Sequence, residues 1–192
     1  RIQSVVVGNG ADPSSMMGQL ITAQHRDRVS SYVDGATDEG ATVVVDGTQG
    51  IPDTGFFHGC ALVDHVKPGM RVYDDEIFGP VLSVVRVPSL DEAIGLVNGS
   101  PFGNGTAIFT RDGGAARKYE REIEVGMVGI NVPIPVPVAW HSFGGWKDSI
   151  FGDSSIYGPD GIHFYTRPKV VTTRWPDPAT SSIDLGFPTT SS

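Results

Sequence analysis

The residues with the clearest chemical potential lie in Asp74-Asp75-Glu76-Ile77-Phe78-Gly79-Pro80-Val81, where an acidic cluster runs into an aromatic, a Gly-Pro turn and an apolar run over 81–87. A carboxylate is not buried without a partner, so Glu76 beside Phe78 reads as a cavity mouth holding polar hydroxyls next to an apolar wall. That is the chemistry of a nucleotide-like ligand. Taken alone, the physics favours a plain turn leading into a strand. The other reactive side chains offer less. Cys60 has no local electropositive or oxyanion-stabilising setting that would make it a thiolate, and reads as a packed core residue. His58 and His65 flank it at unsuitable spacing and read as surface or satisfied histidines. The five histidines show no metal-ligand spacing, so no metal site is expected. Gly8-x-Gly10 lacks the third glycine and the following helix of a dinucleotide fingerprint.

Residues 4–7 read as a short buried strand ended by Gly8-Asn9-Gly10. From Thr22, an N-cap candidate, Val29, Tyr32, Val33 and Ala36 recur at i, i+3, i+4 and i+7, predicting an amphipathic helix that closes at Gly40. Residues 41–45 and 60–63 read as strands separated by breaks at Gly47, Gly50 and Pro52. A strand over 81–87 leads to Ser89 and Glu92, a capping box opening a helix with Leu90, Ala93, Ile94 and Val97 as its apolar stripe and Gly99 as its stop. A strand over 106–110, a helix carrying Ala115, Ala116, Tyr119 and Ile123 with a Lys118/Glu122 pair, and a strand over 127–130 follow. Strands joined by helices of this length need crossover connections. The expected fold is therefore α/β, an open parallel sheet with right-handed βαβ units, and sites in such sheets gather at the carboxyl ends of strands, where Asn131 emerges.

The loop over 131–147 carries prolines at 133, 135 and 137, which fix φ and hold an extended apolar wall. Beyond it, the β-rich run over 168–175 would leave an unpaired edge, for which pairing with another subunit is the usual remedy. The Ser/Thr-rich end reads as a flexible tail.

With 192 residues, 39% hydrophobic and 19% charged, the chain falls in the ordinary soluble class with one sizeable core. Fourteen basic against 22 acidic residues give a net charge of -8, which offers no field for wrapping a polyanion, so no nucleic-acid partner is expected. No apolar run approaches bilayer length and no signal sequence is visible, so no membrane partner is expected. With a single cysteine, these features point to the cytoplasm, or to the mitochondrial matrix in a eukaryote. The chain opens on Arg1 and enters an apolar run almost at once, so an element before it is expected.

Glu-Ile-Phe-Gly-Pro at 76–80 and Phe-Gly-Gly-x-Lys at 143–147 resemble signature motifs of the NAD(P)-dependent aldehyde dehydrogenases, and the resemblance extends along nearly the whole chain. It implies that Glu76 hydrogen-bonds the nicotinamide ribose, that Phe78 packs near the nicotinamide ring, and that Phe143, with Ile134, Pro135 and Val136, lines the path of the aldehyde. Asn-Val-Pro-Ile-Pro-Val-Pro at 131–137, Met16-Met17-Gly18, Tyr73-Asp74-Asp75-Glu76, Gly103-Asn104-Gly105-Thr106 and the run over 157–166 resemble the CoA-acylating branch of that family. Trp140-His141 departs from it, a smaller or tyrosine-containing pair being the expectation. The resemblance implies NAD as cofactor, coenzyme A as co-substrate, a small semialdehyde as substrate, and a homo-oligomer, dimer or tetramer. It also places the family's nucleophilic cysteine and its Rossmann-type domain before residue 1. Residues 1–165 then read as part of an aldehyde dehydrogenase catalytic domain, 166–177 as an oligomerisation strand and 178–192 as the tail, with no catalytic residue assigned. A hydrolytic aldehyde dehydrogenase and a non-catalytic oligomerisation module remain as alternatives.

Overall fold

The strongest periodicity in the sequence makes the first long helix. Val29, Tyr32, Val33 and Ala36 fall on one face of α1 (Ala23–Ala36), and all four are buried. Thr22 caps it, its hydroxyl accepting from the His25 amide at 3.1 Å, which satisfies one of the N–H groups a first turn leaves free. The computed structural model describes residues 1–175 together with Asp177 and Ala179. The chain divides into two compact units, Arg1–Ala93 and Ile94–Ser192.

In the first unit β1 (Thr42–Val45) pairs antiparallel with β2 (Ala61–Asp64), which pairs parallel with β3 (Val81–Ser83). The single turn α2 (Arg71–Asp74) lies between β2 and β3 in sequence. Val29, Tyr32 and Ala36 of α1 pack with Val63, Val66, Met70, Val72 and Ile77 into the core of this unit. At the end of β2, Arg86 grips Asp64 through Nε–Oδ1 at 2.9 Å and Nη2–Oδ2 at 2.7 Å. This hydrogen bonding, with the His65 amide as second donor, holds the Asp64 carboxyl down to about 2.

Two local expectations fail here. Residues 4–7 form no strand: a 3₁₀ turn covers Ile2–Ser4, and Val7 makes one isolated parallel bridge to Met17. Gly8 ends the apolar run before a ladder can build. The strand over 81–87 shortens to three residues, Val81–Ser83, matched to residues 61–63 of β2; beyond them Val84 N donates to Val63 O at 2.8 Å and Val66 N to Val84 O at 3.0 Å without extending the ladder.

Helix α3 (Leu90–Gly99) crosses the boundary between the units, and Ser89 Oγ caps it by accepting from the Glu92 amide at 3.2 Å. The second unit continues with β4 (Phe102–Gly103), β5 (Gly105–Ile108), α4 (Gly113–Glu122), β6 (Met127–Ile130), β7 (Trp146–Lys147) and α5 (Gly158–Tyr165). Strands β5 and β6 are parallel, in register from Gly105↔Met127 to Ile108↔Ile130, with α4 as the crossover. Asp112 caps α4, Ala116 and Tyr119 bury its apolar face, and Lys118 lies 3.8 Å from Glu122 as the i, i+4 spacing requires.

The fold is α/β with open sheets, and its pairing is mixed. β3 bonds to β2, and β5 to β6, so the expected three-strand run is divided. The antiparallel pair β4–β7 and the helix α5 were not anticipated. Residues 168–175 make no strand pairing among the described residues, and Val170, Val171 and Trp175 are exposed. The tail expected over 178–192 lies outside the described residues, Ala179 apart. Among the described residues no helix is long and apolar enough to cross a membrane.

Candidate cofactor site

The turn over 75–78 is built by alternation. Asp75, the extended residue that ends α2, is followed by Glu76; Ile77, 9% exposed, enters the core, and Phe78 comes out again at 77% exposure. Phe78 adopts φ 55°, a left-handed conformation that costs a non-glycine residue about 1–3 kcal/mol. Gly79 follows because α1 allows nothing larger: a Cβ there would stand 2.6 Å from Cγ2 of the fully buried Val29. The Pro80 carbonyl then accepts from the Ala61 amide at 2.8 Å and starts the pairing with β2.

Helix α1 supplies the back of the site. His25 Nε2 lies 2.8 Å from the Phe78 carbonyl, which can only accept, so Nε2 carries the proton. Arg28 Nη2 donates to the Glu76 carbonyl at 3.4 Å and to the Tyr32 hydroxyl at 3.2 Å, and that hydroxyl donates to Asp75 Oδ2 at 2.7 Å. Ile21, His25, Arg28, Asp75, Glu76 and Phe78 line one depression of about 600 Å³. The Glu76 carboxylate is exposed there and makes no hydrogen bond or ion pair among the described residues. Carboxylate acceptors, a guanidinium and an open aromatic face can together hold hydroxyls and a flat ring. They include no nucleophile.

Cys60 lines a different depression, with Val5, Val7, Val44, Asp46 and Gly59, and is half-buried rather than packed in the core. Its Sγ lies 3.9 Å from Met17 Sδ. His58 departs from expectation as well. At 3% exposure it is buried, Nδ1 donates to the Gly59 carbonyl at 2.7 Å, and Nε2 has no partner among the described residues. The bond from Gly59 N to Gly47 O, 2.7 Å, draws the backbone in beside the ring, an arrangement between distant residues that no spacing of histidines could reveal. His65 is exposed, 4.0 Å from Asp64. No group of three or more His, Cys, Asp or Glu among the described residues could hold a metal ion.

In the second unit Asn131 ties the carboxyl ends of β5 and β6 together. Its amide accepts from Thr110 N at 2.9 Å and donates to Thr110 O at 3.0 Å, while its own N–H reaches Ile108 O at 2.8 Å. The proline-rich segment then alternates. Pro135 is half-buried, its Cβ 3.4 Å from where a side chain on Gly129 of β6 would begin, whereas Ile134 and Val136 are exposed. Phe143 is half-buried and stacks on Tyr157, ring centroids 4.7 Å apart and planes 5° off parallel. Trp140 Nε1 donates to His141 Nε2 at 3.0 Å. Lys147 Nζ donates to the carbonyls of Asn98 and Ser100 at 2.8 and 3.1 Å. Glu76 and Phe78 thus share one depression of the first unit, while the residues expected to line the path of the aldehyde belong to the second, with Pro135 facing the sheet and its two neighbours facing away.

The sequence reading missed His25 and Arg28. The available signal was their position at the polar border of the α1 stripe, Arg28 one turn before Tyr32 and His25 one turn before Val29.

The model of the aldehyde dehydrogenase family matches residues 1–171, and the chain belongs to that family. Within it, the chain is similar to a malonate-semialdehyde dehydrogenase of Pseudomonas aeruginosa PAO1, 53% identical over 193 aligned residues that cover 98% of this chain and 39% of the relative. The crystal structure of methylmalonate-semialdehyde dehydrogenase from Oceanimonas doudoroffii superimposes with a TM-score of 0.88 at 53% identity, over 93% of this chain and 37% of that one. A Sinorhizobium meliloti 1021 homologue assigned to the same activity, complexed with NAD, gives 0.87 at 47% identity over 92% and 36%. The chain therefore spans 39% or less of the length of each of these three relatives.

Proposed function

We propose that this chain supplies the nicotinamide-ribose and aldehyde-path portion of an NAD-dependent, CoA-acylating methylmalonate- or malonate-semialdehyde dehydrogenase. The observation that carries this reading is the pair Glu76 and Phe78 on the rim of one depression, in a chain 53% identical to a malonate-semialdehyde dehydrogenase. The net reaction of the whole enzyme converts semialdehyde, NAD and coenzyme A into propionyl-CoA or acetyl-CoA, CO2 and NADH. NAD, when bound, supplies the hydride acceptor. Glu76 accepts hydrogen bonds from the ribose hydroxyls and so orients the nicotinamide, while the Phe78 ring limits its movement. Phe143, held flat against Tyr157, and Ile134 and Val136 shape the path of the aldehyde. Pro135 contributes by fixing the backbone against β6. Cys60 has no part in this scheme, since it lines a separate depression.

A hydrolytic dehydrogenase is the competing reading, and product analysis separates the two. The intact protein should form acyl-CoA and NADH together only when coenzyme A is present. Free acid released at the same rate without coenzyme A would select hydrolysis.

We also propose that residues 168–175 pair with a second copy of the chain, because exposed Val170, Val171 and Trp175 flank backbone that has no strand partner among the described residues. Removing residues 168–192 from the intact protein should give a smaller assembly by sedimentation. An unchanged assembly would place the interface elsewhere.

A further inference from the structure

We infer that Tyr32 is a positioning residue for the cofactor loop, setting the direction of Glu76 through Asp75; this rests on the cofactor reading of Glu76 and Phe78. Tyr32 is 3% exposed and belongs to the core of the first unit, yet its hydroxyl reaches two residues that line the depression. It accepts from Arg28 at 3.2 Å and donates to Asp75 Oδ2 at 2.7 Å. A buried phenol needs a partner, and here the partner is the residue immediately before Glu76.

The ring itself is confined. The guanidinium carbons of Arg28 and Arg71 lie 5.6 and 4.5 Å from its centroid, so it can neither swing toward solvent nor turn its hydroxyl away from Asp75 without breaking cation–π contacts. Asp75 is therefore fixed twice: its backbone N–H donates to Arg71 O at 3.1 Å, and its carboxylate is held by Tyr32 from α1. On the far side of Glu76, Ile77 is in the core and the Phe78 carbonyl is held by His25 at 2.8 Å. Glu76 is thus one free side chain between anchored neighbours, and its aim follows theirs.

Loss of the Tyr32 hydroxyl would have two effects on the site. The Asp75–Glu76 backbone would gain freedom. The Asp75 carboxylate, released, could turn into the same depression and put a second negative charge beside Glu76. Neither effect empties the core, because phenylalanine keeps the ring.

The test uses the intact protein and two readouts, NAD affinity by titration and amide hydrogen exchange over 75–78. Tyr32→Phe should weaken NAD about tenfold, the size of one lost hydrogen bond to a charged group, with the aldehyde KM unchanged and faster exchange at Glu76, Ile77 and Phe78. Asp75→Ala, which leaves no carboxylate to turn toward Glu76, should weaken NAD less than Tyr32→Phe, and the double variant should match Asp75→Ala alone. Unchanged NAD affinity and exchange in Tyr32→Phe, or additive losses in the double variant, would overturn the inference, because Tyr32 and Asp75 would then act separately. If the unsubstituted protein binds no NAD, the cofactor reading itself fails. Exchange then decides the positioning role alone: faster exchange at 75–78 in Tyr32→Phe upholds it, and unchanged exchange removes it.

Discussion

Glu76→Ala in the intact protein should lower the rate of hydride transfer about a hundredfold, the scale of losing the alignment of a reacting group, while shifting Tm by no more than about 2 °C. Both halves of this expectation come from where the side chain sits. The carboxylate is exposed, lines the depression and makes no hydrogen bond or ion pair among the described residues, so its removal costs the fold little. The backbone features that shape the turn remain, since the bonds from Arg28 to the Glu76 carbonyl and from His25 to the Phe78 carbonyl do not involve the carboxylate. Single-turnover NADH formation and a thermal melt measure the two quantities. A large fall in Tm with unchanged kinetics would make Glu76 a structural residue.

The largest effect on stability should come from Gly126→Ala. A Cβ at Gly126 would be driven into the Gly144 carbonyl, which is backbone and cannot rotate aside, while the Gly126 amide is held at 2.9 Å by the Gly103 carbonyl. Overpacking against a rigid partner costs about 3 kcal/mol, which for a chain of this size lowers Tm by roughly 6–12 °C. Gly95→Ala is the contrasting substitution. Gly95 lies inside α3 with open space where its side chain would go, so alanine there should stabilise by up to about 1 kcal/mol. Calorimetry on the two variants measures both changes. A small effect at Gly126 would mean that the Gly-Gly segment beside Phe143 yields easily and is softer than its packing implies.

What was legible in the sequence was what depends on near neighbours. The α1 stripe, the Thr22 and Ser89 caps, the Lys118/Glu122 pair and the β5–α4–β6 crossover each rest on residues a few positions apart or on a single helix between strands. The turn carrying Glu76 and Phe78 was legible through its motif, but not what holds it. Arg28 and His25 reach carbonyls 48 and 53 residues away, and nothing local marks such a partner. Helix α5 was hidden by Gly158-Pro159-Asp160-Gly161, which reads as a turn. Proline is tolerated in a first helical turn, where an N–H is not required, and the amides of Gly158 and Asp160 go to Ala139 O and Ser142 Oγ from the preceding loop. The pair β4–β7 is two residues long on each side, too short for any alternation to show.

The close approach of Gly79 to Val29 bears on how this site could be re-engineered. Helix and loop meet there without a spare atom between them, so a library that varies the length of the loop would have to displace a valine from the centre of the unit before it sampled any new ligand. Diversity placed at Ile21 changes the rim while leaving that joint, and the bonds by which His25 and Arg28 hold the turn, untouched.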